Sequence, residues 1–154
     1  MKSQPLILLL LGLLPALAHA RVWTVTPAQA LADVVAQAAA GDELRIQPGR
    51  YRVNLHITKP LTLTGVGRPT LDGGNASDVI RIESPDVTVQ GLIIANSGGD
   101  LGLQNAGVYV APGSHRAVVR HNDISYSLFG LWIEKANDVR VENNLITGKR
   151  DYIS

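Results

Sequence analysis

Four histidines and no cysteine bound the chemistry open to this sequence. Met1 is the single methionine, so neither thiolate nor thioether ligands can build a soft metal site. Beyond the N-terminal stretch lie His56, His115 and His121. Imidazole nitrogen binds transition-metal ions, yet no two of these residues stand at a close ligand spacing such as His-x-His. His115 and His121 flank the start of a strand pattern and would share an ion only if the turn folds back; otherwise each is a turn histidine. His56 lies between Leu55 and Ile57, which points it outward on a strand. The candidate acids are Asp72, Asp100, Asp123, Glu134, Asp138 and Glu142. Sugar-chain cleavage needs facing carboxyl groups, or Ca²⁺-binding carboxylates beside a base. Asp123 and Asp138 occupy non-equivalent places, Glu142 reads as a solvated edge residue, and Asp72 precedes the turn Gly73-Gly74. No convincing pair emerges.

These residues belong to a repeat. Ala117-Val-Val-Arg-His-Asn-Asp-Ile124 and Val139-Arg-Val-Glu-Asn-Asn-Leu-Ile146 share the pattern apolar, any, Val, any, any, Asn, any, Ile. Val119 and Val141, Asn122 and Asn144, and Ile124 and Ile146 correspond, each 22 residues apart (141 − 119). The same frame fits residues 87–94, 30 residues before the first copy (117 − 87), and residues 61–65 more loosely. A period of this size marks a solenoid. Alternation with period two makes each copy a strand with one buried face. A second short strand falls between copies, at residues 79–82, 108–110 and 131–133. No interval leaves room for a helix within a coil. The pattern predicts an all-β parallel β-helix whose coils stack at a strand spacing of ~4.8 Å. Equal positions then lie above one another, so Asn122 and Asn144 are expected to form an amide ladder rather than merely to mark surface turns.

The N-terminus reads differently. Met1-Lys2, an apolar run over residues 6–14, and Ala18-His-Ala20 make a secretory signal peptide cleaved after Ala20. The run is too short for a good membrane span, so none is expected once the leader is removed. The expected organisation is a leader over residues 1–20 and one β-helix domain over residues 21–154. Loss of Lys2 takes the basic count from 14 to 13, equal to the 13 acids, and a neutral chain without a basic cluster argues against nucleic acid as a partner. Without cysteines an exported chain has no disulfide staples, and the apolar stack must supply its stability. Thr26 as N-cap, Pro27 at the first position and Gly41 as stop predict a helix over residues 28–40. Its apolar face, Leu31, Val34, Val35 and Ala38, would cover the first coil.

Residues 96–105 add about eight residues over the later coil spacing (30 − 22). Such insertions project from one face, often the binding face, so partner contact is expected here first, with Asp100 at its centre. The other reading is a neutral length variation. Tyr109 and Trp132 occupy like places in successive coils, 23 residues apart (132 − 109), both outward. They form either a partner-binding patch or a cross-coil ladder that steadies the sheet. No second helix or polar cap follows the last copy. Residues 147–154 are too short to cover it, so the solenoid is expected to continue beyond Ser154.

Several motifs together carry a family resemblance. They are the leader, the capping helix, Gly41-Asp-x-Leu-x-Ile-x-Pro-Gly-x-Tyr51, Pro60-Leu-Thr-Leu-x-Gly65, Leu71-Asp-Gly-Gly74, the run 87–96, Ala106-Gly-Val-Tyr-Val110 and Phe129-Gly-Leu-Trp-Ile133. Over most of residues 21–149 the chain resembles the N-terminal part of the NosD family, periplasmic maturation proteins of nitrous oxide reductase. The opening Gly-Asp and Pro-Gly-x-Tyr signature is shared by many parallel β-helix proteins, sugar lyases and epimerases included. The order of the later segments favours the maturation family. The resemblance implies a right-handed parallel β-helix in the bacterial periplasm. It implies work beside an ABC transporter and a copper chaperone during copper-site assembly in nitrous oxide reductase, with no catalysis of its own. Copper would then be the ion for His115 and His121, since imidazole suits Cu(II). The alternative is a carbohydrate-active β-helix: a polyuronate lyase, epimerase or hydrolase.

Overall fold

The computed structural model describes residues 19–149. The expected leader lies outside the described residues apart from His19 and Ala20, as does the segment 150–154. Each coil contributes up to three short strands, one to each of three sheets. The six-stranded sheet runs β1 (Val22–Val25), β2 (Glu43–Ile46), β5 (Thr62–Gly65), β8 (Thr88–Gln90), β11 (Val118–Arg120), β14 (Arg140–Glu142). The five-stranded sheet stacks β3 (Arg50–Arg52), β6 (Thr70–Asp72), β9 (Ile93–Ala95), β12 (Asp123–Ser127) and β15 (Leu145–Gly148). The four-stranded sheet stacks β4 (Leu55–Ile57), β7 (Ile80–Ile82), β10 (Ala106–Val110) and β13 (Phe129–Ile133). The strand pairs are parallel, each strand lying on its counterpart one coil away. The molecule is the parallel β-helix that the repeat predicts.

Register turns the sequence alternation into vertical columns. Leu44, Leu63, Val89, Val119 and Val141 lie one above another. So do Tyr51, Leu71, Ile94, Ile124 and Ile146, and Ile57, Ile82, Val110 and Ile133. These side chains are fully or almost fully buried until the last described coil, where Val141, Ile146 and Ile133 become 42%, 46% and 43% exposed. An inward side chain in a solenoid is covered only by the coils on either side of it. Gly107 shows how tightly the coils meet: a Cβ there would strike Ile124 Cγ2 and come within 2.9 Å of the Gly130 carbonyl oxygen.

Two expectations need correction. Residues 117–124 are not one strand. The chain bends at His121-Asn122, where His121 takes a positive φ of 55°, and continues as a separate strand in another sheet. The buried Asn122 makes this bend possible. Its Oδ1 accepts from Leu92 N–H (3.1 Å) and its Nδ2 donates to the Val89 carbonyl (3.1 Å) and to Asn144 Oδ1 (3.1 Å). Asn144 repeats the arrangement one coil on, accepting from Asn122 N–H and donating to Val119 O. The amide ladder is present.

The helix is also shorter than expected: α1 spans Leu31–Gln37, with Ala30 at its N-cap. Thr26 instead opens a turn, accepting from Gln29 N–H while Gln29 Oε1 accepts from Thr26 N–H. That closed turn delays the helix. At the other end Ala38 is extended, with ψ 145°, so the helix stops before Gly41 is reached. The predicted face is right: Leu31, Val34, Val35 and Ala38 are buried in the main core. Lys59 Nζ reaches the helix end, donating to the carbonyls of Ala36 (2.8 Å) and Ala38, which complements the dipole. Among the described residues no helix is long and apolar enough to cross a membrane.

Candidate functional site

The outward side of the four-stranded sheet carries the richest cluster of side chains. Register stacks His56, Arg81, Tyr109 and Trp132 into one outward column. The Arg81 guanidinium lies 3.9 Å from the Tyr109 ring centroid. It donates to Asp78 Oδ2 (3.0 Å) and Glu83 Oε1 (2.9 Å). Burial works against this cation, but the bonds to Asp78 and Glu83 outweigh it and raise the pKa above the ordinary arginine value. Glu83 also meets His56 Nδ1 at 3.2 Å. Tyr109 donates its hydroxyl to Glu134; burial first, then the neighbouring Glu134, raises its pKa. Asp78 Oδ1 accepts Ala106 N–H at 2.8 Å, fastening the network to the start of β10.

The loop 96–105 walls this column. A cleft of about 370 Å³ lies between them, with His56, Asp78, Arg81 and Tyr109 on the sheet side and Leu103 and Asn105 on the loop side. Leu101 and Leu103 are 68% and 64% exposed, unusual for leucines and set at the tip of the loop. Asn105 Oδ1 accepts Asp100 N–H (3.0 Å), which ties the two ends of the loop tip. An apolar layer continues above the cleft, where the Phe129 and Trp132 rings, 4.9 Å apart and tilted by 50°, pack against Ala106, Tyr109 and Ala111.

Of the residues singled out by sequence, Tyr109 and Trp132 are indeed vertical neighbours. Tyr109 is only 3% exposed and capped by Arg81, so Trp132 offers the more accessible ring of the pair. Asp100 is exposed in the insertion, and its Oδ1 accepts Leu103 N–H at 3.1 Å, shaping the loop. His115 and His121 are not brought together. β11 lies between them, and its residues advance about 3.3 Å each. His115 Nδ1 already accepts Asn137 N–H (3.0 Å). Among the described residues no three His, Cys, Asp or Glu side chains converge. The donor set does not fit a resident copper ion. Sequence reasoning missed Asp78, Arg81 and Glu83. Their signal was the polar residue between Ile80 and Ile82, visible only once that strand is aligned with β10.

Comparison with known proteins follows the same lines. No family model matches the chain. It is 34% identical over 100 residues to a protein of Pseudomonas aeruginosa described as a probable ABC transporter binding protein NosD, covering 65% of this chain and 23% of that protein. A Stutzerimonas stutzeri protein of the same description is 25% identical over 120 residues, covering 78% of this chain and 28% of that protein. The chain thus spans about a quarter of the length of the curated relatives it matches. Among solved structures, a pectin methylesterase mutant in complex with a hexasaccharide superposes with a TM-score of 0.58 and 21% identity, over 81% of this chain and 46% of that one. That likeness concerns the fold alone. On fold and sequence together, the chain is a parallel β-helix similar, over part of its length, to two proteins described as NosD.

Proposed function

We propose that this β-helix is a non-catalytic periplasmic accessory protein that supports copper-site assembly in nitrous oxide reductase beside an ABC transporter and a copper chaperone. The observation that carries the reading is the 34% identity over 100 residues to a protein described as a probable ABC transporter binding protein NosD. The face of the four-stranded sheet supports it, because that face suits docking better than chemistry. Its carboxylates are all engaged: Asp78 and Glu83 by Arg81, and Glu134 by the Tyr109 hydroxyl. The exposed Leu101 and Leu103 and the half-buried Trp132 ring are the parts left for a partner protein. Exposed aromatic and aliphatic groups rimmed by charge are the usual anchors of such interfaces. Copper then passes through the partners, and this segment positions them.

The test is the copper content of nitrous oxide reductase purified from cells lacking this gene. Copper-poor enzyme is expected, restored by the full-length gene but not by a folded Leu103→Ser, Trp132→Ser double variant. Fully loaded enzyme from the deletion strain would overturn the maturation role and turn attention to polyuronate cleavage or epimerisation.

A further inference from the structure

The backbone nitrogen of Arg21, the first residue after the expected cleavage point, is already bound to a carboxylate. Arg21 N–H donates to Asp42 Oδ1 at 2.8 Å. The other oxygen, Asp42 Oδ2, accepts from Trp23 Nε1–H (2.8 Å) and Ala39 N–H (2.9 Å). Asp42 is only 4% exposed, yet it is ionised readily: the Trp23 donor, then the Arg21 and Ala39 amides, hold its pKa below the ordinary carboxylate value. The Arg21 guanidinium folds over the Trp23 ring at 4.7 Å, and His19 and Ala20 line the adjoining cleft of about 540 Å³.

We propose that cleavage after Ala20 converts the Arg21–Asp42 hydrogen bond into an ammonium–carboxylate ion pair that locks the mature N-terminus onto the capped end of the solenoid. This rests on the export reading. Hydrolysis adds one water across the Ala20–Arg21 peptide bond. Ala20 leaves with a carboxylate, and Arg21 keeps the nitrogen, which takes up protons to become an ammonium. The positive charge is created 2.8 Å from a carboxylate already held by two other donors, and charge-assisted bonds of this kind are about twice as strong as neutral ones. The lock fastens β1, the edge of the six-stranded sheet, to the turn between α1 and β2. Other charges near this end are the Arg21 guanidinium, the Glu43–Arg45 pair on β2, and Lys59, which is held by the helix carbonyls. His19 departs with the leader.

The experiment produces the full chain with its leader in a bacterium and weighs the protein recovered from the periplasm. A chain starting at Arg21 is expected. Its α-amine should titrate above the ordinary range of about 7.7–8.0. At pH 7 it should be acylated at least about tenfold more slowly than the amine of Asp42→Asn, or of a chain with one glycine inserted before Arg21 should Asp42→Asn not fold. A raised amine pKa gives stability that is complete below the unfolded value and lost as pH rises through the folded one. The melting-temperature advantage over the glycine-extended chain should therefore vanish above the amine's pKa. Absence of the chain from the periplasm would overturn the export reading and the lock with it; a periplasmic chain uncut, or cut elsewhere, would overturn the lock alone. A chain starting at Arg21 whose amine reacts and titrates ordinarily would overturn the lock alone.

Discussion

Asp72 accepts hydrogen bonds from Asn96 Nδ2 (2.9 Å), Gly74 N–H (3.0 Å) and Arg50 Nε (3.0 Å). Burial alone would raise its pKa, but these donors outweigh burial and bring it to about 2. A carboxyl depressed on folding stabilises the protein above its unfolded pKa of about 3.9. That contribution is lost as pH falls from about 4 toward 2. Asp72→Asn should therefore lower the melting temperature at pH 7 and lose most of that deficit near pH 2.5; a constant gap would mean that the charge is irrelevant. Arg50 is the lesser partner, because its side chain is 65% exposed and water screens the pair. The turn after Asp72 was legible in Gly73-Gly74. The donors were not, since Arg50 lies 22 residues before and Asn96 lies 24 after, and unequal coil lengths hide vertical neighbours from simple counting.

At the scale of elements, the corner between the six- and five-stranded sheets is held by asparagine. Asn122→Ala would strip Leu92 N–H and Val89 O of their partners in a buried corner. The expected cost is about 1–3 kcal/mol in chemical denaturation. Asn144→Ala should cost less, because the last described coil is more open to water. Equal losses at both positions would contradict a burial-dependent ladder. The ladder could be read because the Val, Asn and Ile around this corner recur together across a single coil, each 22 residues on (141 − 119). The bend itself was overlooked, although it left a trace: Val119 and Ile124 both face inward yet stand five residues apart (124 − 119), an odd spacing that unbroken alternation would place on opposite faces. The helix boundaries were misread for a related reason. Thr26 and Pro27 satisfy the local preferences of a helix start, but the side chain of Gln29 closes a turn there first.

Across the whole molecule the two ends differ. α1 covers the first coil, while the last described coil exposes Leu145, Ile146 and Val141. Opening a solenoid coil costs only its own contacts and those with its neighbours. Amide hydrogen exchange should therefore show protection rising from β14 and β15 inward to β8 and β9. Uniform protection across the coils would contradict this graded stability. The solenoid was legible because its period survives in the apolar positions. The cleft was not, because it joins side chains whose separations vary from 25 residues (81 − 56) to 28 (109 − 81). That variation is greatest at one corner of the coil. The corner before the five-stranded sheet is two residues long in three successive coils: Gly91-Leu92, His121-Asn122 and Asn143-Asn144. The corner after it ranges from Leu128 alone to the whole of 96–105. One edge of the column thus changes length most from coil to coil while the inward residues of the strands keep their register, and the cleft wall is built at that edge.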